Sequence, residues 1–203
     1  MKINKYEKIG TGKYRVYLSN GEVIEIYDDV IIENELLLKG ELDRNTYNKV
    51  IRESELQEYY NSCVKYISVR IRCTKEIYEY LLKKKVSNDD IDLIVDKLKK
   101  NKLLDDNYFC ECFIKDKIRF TSWGPYRIVR ELNKYNIDND IINNNSYLLD
   151  DEVIYDKLYK LIKKAITNNH KLDNSKLRNK IYRNYLNMGF KSDMIVSILN
   201  QEL

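Results

Sequence analysis

Two pairs of adjacent carboxylates, Asp105-Asp106 and Asp150-Asp151, and one Cys-Glu-Cys triplet, Cys110 to Cys112, are the groupings in this sequence that could do chemistry. Paired carboxylates can hold a cation or divide acid and base roles. Neighbours on a helix, however, project about 100° apart, so an adjacent pair does not converge on one ion. Each pair stands just before an expected helix. There a carboxylate accepts from free backbone N–H groups and complements the helix dipole, so capping accounts for both pairs. A zinc site needs paired clusters of ligands, and the other cysteines, Cys63 and Cys73, are far away in sequence. The four read as buried, reduced thiols. The single histidine, His170, lies in a polar stretch with no evident partner and reads as a surface residue. There is no phosphate loop, dinucleotide fingerprint or nucleophile elbow. The expectation is a non-enzyme with no metal and no cofactor.

The cations form a more suggestive set. Arg70 and Arg72 close one expected helix and Lys83, Lys84 and Lys85 close the next. Arg119, Arg127 and Arg130 form a middle group, and Arg178, Lys180 and Arg183 a later one. Cations at helix C-termini favour the dipole, which is the plain explanation. Arginine also makes planar, bidentate contacts with carboxylates and phosphates, so the same residues could line a partner-facing stripe. The net charge of +4 is unevenly spread: residues 1–60 carry −3, residues 61–152 +1 and residues 153–203 +6. The basic end could meet nucleic acid or an acidic protein surface. Gly124-Pro125 reads as a helix start, since proline's missing N–H costs nothing in a first turn. Trp123 before it reads as a packing anchor.

These groups need a scaffold, and the scaffold reads as mainly helical. Gly is scarce at 6 and Pro occurs once. Few breakers favour helices over a many-turned β protein. The N-terminus has no apolar leader and no run nears transmembrane length, so the chain is expected to be cytoplasmic, with no membrane contact. Segments 15–19 and 22–27 are rich in β-branched and aromatic residues and flank Asn20-Gly21, which predicts a hairpin; 3–9 offers a third strand. A lone hairpin is marginal, so it must pack on something. Short helices are expected near 29–38 and 43–51, the latter capped by Asp43.

Beyond residue 57 the chain repeats. A shift of 51 places Cys63 on Ile114, Leu81 on Leu132, Val86 on Ile137 and Ile91 on Ile142. A shift of 53 continues Leu132 to Tyr185, Ile137 to Phe190 and Ile142 to Ile195, while 48 brings Ile114 onto Ile162. Leu-Leu-Asp-Asp occurs at 103–106 and again at 148–151. The pattern predicts helices near 57–71, 74–85 and 88–101, then 106–119, 124–136 and 138–145, then 151–167, 174–188 and 191–202. The fold class is therefore three tandem three-helix repeats in an elongated, curved stack with a small N-terminal β-hairpin and helix extension. The expected divisions are 1–56, 57–104, 105–149 and 150–203.

Arranged this way, the residues resemble the RecX family. Arg70-Ile71-Arg72-Cys73-Thr74-Lys75-Glu76 followed by Leu81 to Val86 resembles its opening pattern of Arg-x-Arg, a small polar residue, an acid and a helix ending in a basic cluster. Leu104-Asp105-Asp106-Asn107-Tyr108-Phe109 is similar to its leucine-to-tyrosine join, with an extra Asp and with Phe for the usual Ala. Gly124-Pro125-Tyr126-Arg127-Ile128-Val129-Arg130-Glu131-Leu132, ending at Asn136-Ile137, resembles its second-repeat block, with Asn136 where Gly is usual. Leu186 to Phe190 stands in the equivalent place of the third unit. The resemblance spans about 60–203. It implies a monomeric regulator that binds RecA filaments along their groove and lowers strand exchange, ATP hydrolysis and LexA coprotease activity. That role lies in DNA recombination, DNA repair and the SOS response. It also implies occasional contact with single- or double-stranded DNA.

Overall fold

The computed structural model describes residues 1–169 and 172–203. His170, read above as a surface residue of the polar stretch 167–174, lies outside the described residues. Three strands, β1 Ile3–Gly10, β2 Lys13–Leu18 and β3 Val23–Tyr27, precede eleven α-helices among the described residues. These are α1 Asp28–Glu33, α2 Leu36–Lys39, α3 Arg44–Val69, α4 Thr74–Lys83, α5 Asn88–Lys100, α6 Asp106–Phe120, α7 Pro125–Asn133, α8 Asn139–Asn144, α9 Asp151–Asn168, α10 Asn174–Asn187 and α11 Ser192–Glu202. The chain divides into two units: Met1–Ile71 with Ile77–Leu103, and Arg72–Glu76 with Leu104–Leu203.

In the first unit the strands form an antiparallel sheet in the order β1-β2-β3. Val16 and Leu18 of β2 and Ile24 and Ile26 of β3 alternate onto one face, as period-two strands must. They are buried with Val30, Ile31, Leu36, Leu42 and Val50. The connection between β2 and β3 is longer than the two-residue turn the sequence suggested. Gly21 N–H donates to Leu18 O, and Leu18 N–H to Glu22 O. Only Gly21, at φ +83°, takes the left-handed conformation, so Ser19-Asn20-Gly21 is a three-residue loop.

The sequence suggested two helices at 43–51 and 57–71. One helix of 26 residues, α3, runs through both. Asp43 caps it, accepting from Thr46 N–H at 2.7 Å. Its apolar pattern is irregular because it packs on β3 and α1 along one part and on α5 along another. Ser54, between the two expected helices, is buried within α3, its hydroxyl accepting from Tyr27 N–H at 3.2 Å. The 29–38 segment is broken into α1 and α2, because Glu35 adopts φ +55° between them.

The repeat pattern survives as a core pattern. Leu81, Leu132 and Tyr185, then Val86, Ile137 and Phe190, then Ile91, Ile142 and Ile195, are all buried. The turns also repeat. Lys85, Asn136 and Gly189 occupy the equivalent place after α4, α7 and α10, and all three have positive φ, at 63°, 52° and 89°. The N–H three places past the last residue of α4 and of α10 returns to an earlier carbonyl, Val86 to Leu81 and Phe190 to Tyr185, which satisfies a carbonyl of each last turn. The third helix of the middle repeat is short, six residues in α8, and a 3-10 turn, Ser146–Leu149, follows it. No helix among the described residues is long and apolar enough to cross a membrane.

Candidate partner-binding surface

The carboxylate pairs act on backbone. Asp105 accepts from Asn107 and Tyr108 N–H at 2.8 and 3.1 Å, and Asp150 from Glu152 N–H at 3.1 Å. Their neighbours do different work. Asp106 accepts from Thr74 N–H at 2.7 Å, so it caps α4 from another helix. Asp151 pairs with Lys191 at 2.6 Å and holds that ammonium above its ordinary pKa. Among the described residues no group of three His, Cys, Asp or Glu could hold a metal ion. All four cysteines are free. Burial pushes the Cys63, Cys73 and Cys110 thiols up to about 11, which leaves them unreactive near neutrality. Cys112 is half-buried, where a buried thiol was expected, because it lies on the flank of α6 beside Tyr108.

The structure sorts the basic residues into distinct settings. In the first unit Arg70 follows the last residue of α3, and its guanidinium donates to Ile71 O at 2.9 Å. Lys83 ends α4, while Lys84 and Lys85 form the turn after it; all three are exposed. Lys84 lies 5.0 Å over the Tyr80 ring, which stacks on Tyr66. In the second unit Arg72 lies past α3 and its side chain is only 11% exposed, pairing with Glu76 at 3.2 Å. It was expected to close a helix; it is instead a largely covered tie at the start of α4. Arg119 is exposed and packs on Phe120.

Arg127 and Arg130 come together on α7. With Tyr126 they line a groove of about 690 Å³ whose other wall is Leu186, Asn187, Gly189 and Phe190, closed by Lys191, Ser192 and Asp193. Arg127 is set in place: its guanidinium lies 4.6 Å over the Trp123 ring and donates toward Met188 Sδ at 3.3 Å. Arg130 is exposed. Arg178 does not join them. It sits on the α11 side of α10, donating to Asn200. Lys180 and Arg183 share a different face of α10 with Lys176 and Asn179. Lys180 donates to Asn169 at 2.7 Å. Spacing along the helix separates Arg178 from the others, because residues 176, 180 and 183 share a face and residue 178 does not. Sequence reading missed Lys176, Lys191 and Tyr126. Their signal was positional: Lys176 is four residues before Lys180, and Lys191 directly precedes α11.

The groove rests on a tight joint. Gly124 N–H donates to Met188 O at 2.8 Å and Tyr126 N–H to Gly189 O at 3.1 Å. A methyl group built on Gly124 would stand 2.4 Å from the Gly189 backbone, and one on Gly189 2.5 Å from Arg127 N. Pro125 opens α7, as the sequence suggested. Below the joint Lys157 of α9 donates to Trp123 O at 2.8 Å and to Lys117 O at 3.2 Å. Burial pushes its ammonium down to about 8. An unfolded lysine titrates at about 10.4, so between about pH 8 and 10.4 the unfolded chain binds the extra proton. Stability from this group therefore rises with pH across that window. The buried thiols lower stability over the same range in both proteins, so the test is the difference: between pH 7 and pH 9.5 urea stability should fall less in the parent than in Lys157→Met. Parallel pH profiles for the two proteins would refute the assignment.

Similarity to known proteins agrees with this architecture. A family model described as the first three-helix domain of RecX matches residues 60–98, and one described as the second matches residues 105–144. A protein of Lactococcus lactis subsp. lactis named "Regulatory protein RecX" is 33% identical over 183 residues, covering 87% of this chain and 68% of that one. A protein of the same name from Oceanobacillus iheyensis is 29% identical, covering 96% of this chain and 74% of that one. A crystal structure titled regulatory protein RecX shares the fold at a TM-score of 0.85 over 98% of this chain and all of that one, at 22% identity. The crystal structure of RecX from Lactobacillus salivarius matches at 0.67 and 26% identity, over 72% of this chain and 95% of that one. By repeat pattern, fold and sequence, the chain belongs to the RecX family.

Proposed function

We propose that this protein is a cytoplasmic, non-enzymatic regulator that binds RecA–single-stranded DNA filaments and lowers their recombinase, ATPase and coprotease activities, with a role in DNA repair and the SOS response. The observation that carries the reading is its match, over 87% of its length, to a relative named as a regulatory protein. Arg127 and Arg130 in an open groove suit this role, because two guanidinium groups on one helix face can grip carboxylates or phosphates. Control of ATP hydrolysis would come from altered packing between filament subunits. The decisive measurement is RecA-dependent ATP hydrolysis on single-stranded DNA with increasing amounts of this protein. A dose-dependent fall is expected; an unchanged rate at saturating protein would refute the reading.

A second reading rests on α10. No acidic residue occurs between Asp173 and Asp193, while Lys176, Arg178, Lys180, Arg183 and Lys191 do. Such a segment suits a nucleic-acid backbone directly. DNA affinity carried by this face should fall steeply with salt, because each neutralised phosphate releases counterions. Fluorescence anisotropy with a labelled single strand at two salt concentrations separates the readings. Tight, salt-sensitive DNA binding with no effect on RecA favours the second.

A further inference from the structure

A second recess lies in the first unit, and none of the arginines and lysines assigned above lines it. Its floor is one stripe of α3, Glu53, Leu56, Gln57 and Tyr60, at the i, i+3, i+4, i+7 spacing of a single helix face. Its walls are Val30 and Glu33 of α1 and Leu93, Ile94 and Lys97 of α5. The volume is about 240 Å³, below the range of sites for drug-sized ligands and cofactors, but ample for one large side chain. Leu93, at its lip, is 55% exposed.

Buried polar struts keep the recess open. Gln57 is 5% exposed and its amide is fully engaged. Nε2 donates to Asp29 of α1 at 3.1 Å and to Asn61 at 3.2 Å, and Oε1 accepts from Lys97 of α5 at 2.8 Å. The buried Asn34 donates to Glu53 at 2.6 Å and to Val30 O at 3.0 Å. Breaking a satisfied buried amide is costly, so α1 and α5 cannot simply collapse onto α3. The charges at the mouth differ in availability. Lys97 is held by Gln57 and lies 5.0 Å over the Tyr60 ring. Lys49 lies 3.6 Å from Glu53. Glu33 is exposed at the rim, within the N-terminal segment that carries the chain's acidic excess.

We infer that this recess is a docking site for a partner protein, taking one large aliphatic side chain whose neighbouring residue is lysine or arginine and meets Glu33. The apolar lining selects the anchor, and the carboxylate at the rim selects the sign of the flanking charge. The inference stands independently of the RecA reading.

Methyl-labelled full-length protein titrated with N-acetyl-leucyl-arginine amide tests it by NMR. Saturating shifts in the millimolar range are expected at the Leu56, Leu93 and Ile94 methyls. N-acetyl-leucyl-glutamate amide should bind about two- to fivefold more weakly, the range an exposed ion pair supplies. Glu33→Gln should erase that difference, and Leu93→Glu, at an exposed lip position, should abolish the shifts while leaving the rest of the spectrum intact. Absence of saturating shifts at these methyls, equal binding of the two dipeptides to the parent, or undiminished binding by Leu93→Glu would each overturn the proposal.

Discussion

Gly189→Ala is expected to destabilise the second unit by about 2–4 kcal/mol, through positive-φ strain and forced displacement of packed backbone together. At φ +89° a side chain is strained whatever space surrounds it, and here the methyl would meet Arg127 N at 2.5 Å. Gly124→Ala should cost a comparable amount for the second reason alone. Its φ of −87° suits any residue, but its methyl would strike the Gly189 carbonyl at 2.4 Å. Either substitution must open the joint and lengthen the two hydrogen bonds that span it. Urea midpoints by circular dichroism measure the loss. An unfolding curve within about 0.5 kcal/mol of the parent, the scale of an ordinary surface change, would show that the joint is not closed in solution.

Arg127→Ala with Arg130→Ala should raise the protein concentration needed for half-inhibition of RecA-dependent ATP hydrolysis by about tenfold or more, since a central arginine can carry roughly 2 kcal/mol of binding. Helical content should stay the same, because Arg130 is exposed and Arg127 lies over Trp123 outside the buried set. Arg178→Ala is the internal control. Its partner is Asn200, so inhibition should hardly change. Full inhibition by the double variant would move the search for the interface to the other basic faces. A loss equal to that of Arg178→Ala would show that general positive charge matters, and not the groove.

Much of the helical part was legible because one physical rule, burial of every third or fourth residue, writes itself into the sequence. Leu81, Leu132 and Tyr185 could be aligned without coordinates, and all are core residues. The long α3 was not legible. Its apolar residues answer to different neighbours along its length, so no single period describes it, and the polar Ser54 is a buried acceptor. The surface was half legible. Residue type picked out Arg127 and Arg130, but only geometry showed that Trp123 and Met188 seat one of them. Arg72 shows the limit of reading charge as exposure. Residue type suggested an open cation, yet Arg72 pairs with Glu76, four residues on, and is only 11% exposed. Asp106 is a similar case: adjacency to Asp105 suggested one shared role, yet the two cap different helices.

The continuity of α3 has a consequence for how the molecule comes apart. The helix is about 39 Å long at 1.5 Å per residue, and it contributes Val50 to the core beneath the sheet and Cys63, further along, to the buried set of the helical part. A helix propagates cheaply once nucleated but is costly to sever in the middle. The sheet and the first helical repeat therefore share one cooperative element, and neither can melt while leaving the other's support untouched. Slow amide exchange in β2 and in α5 should then report the same opening free energy, as members of a single foldon.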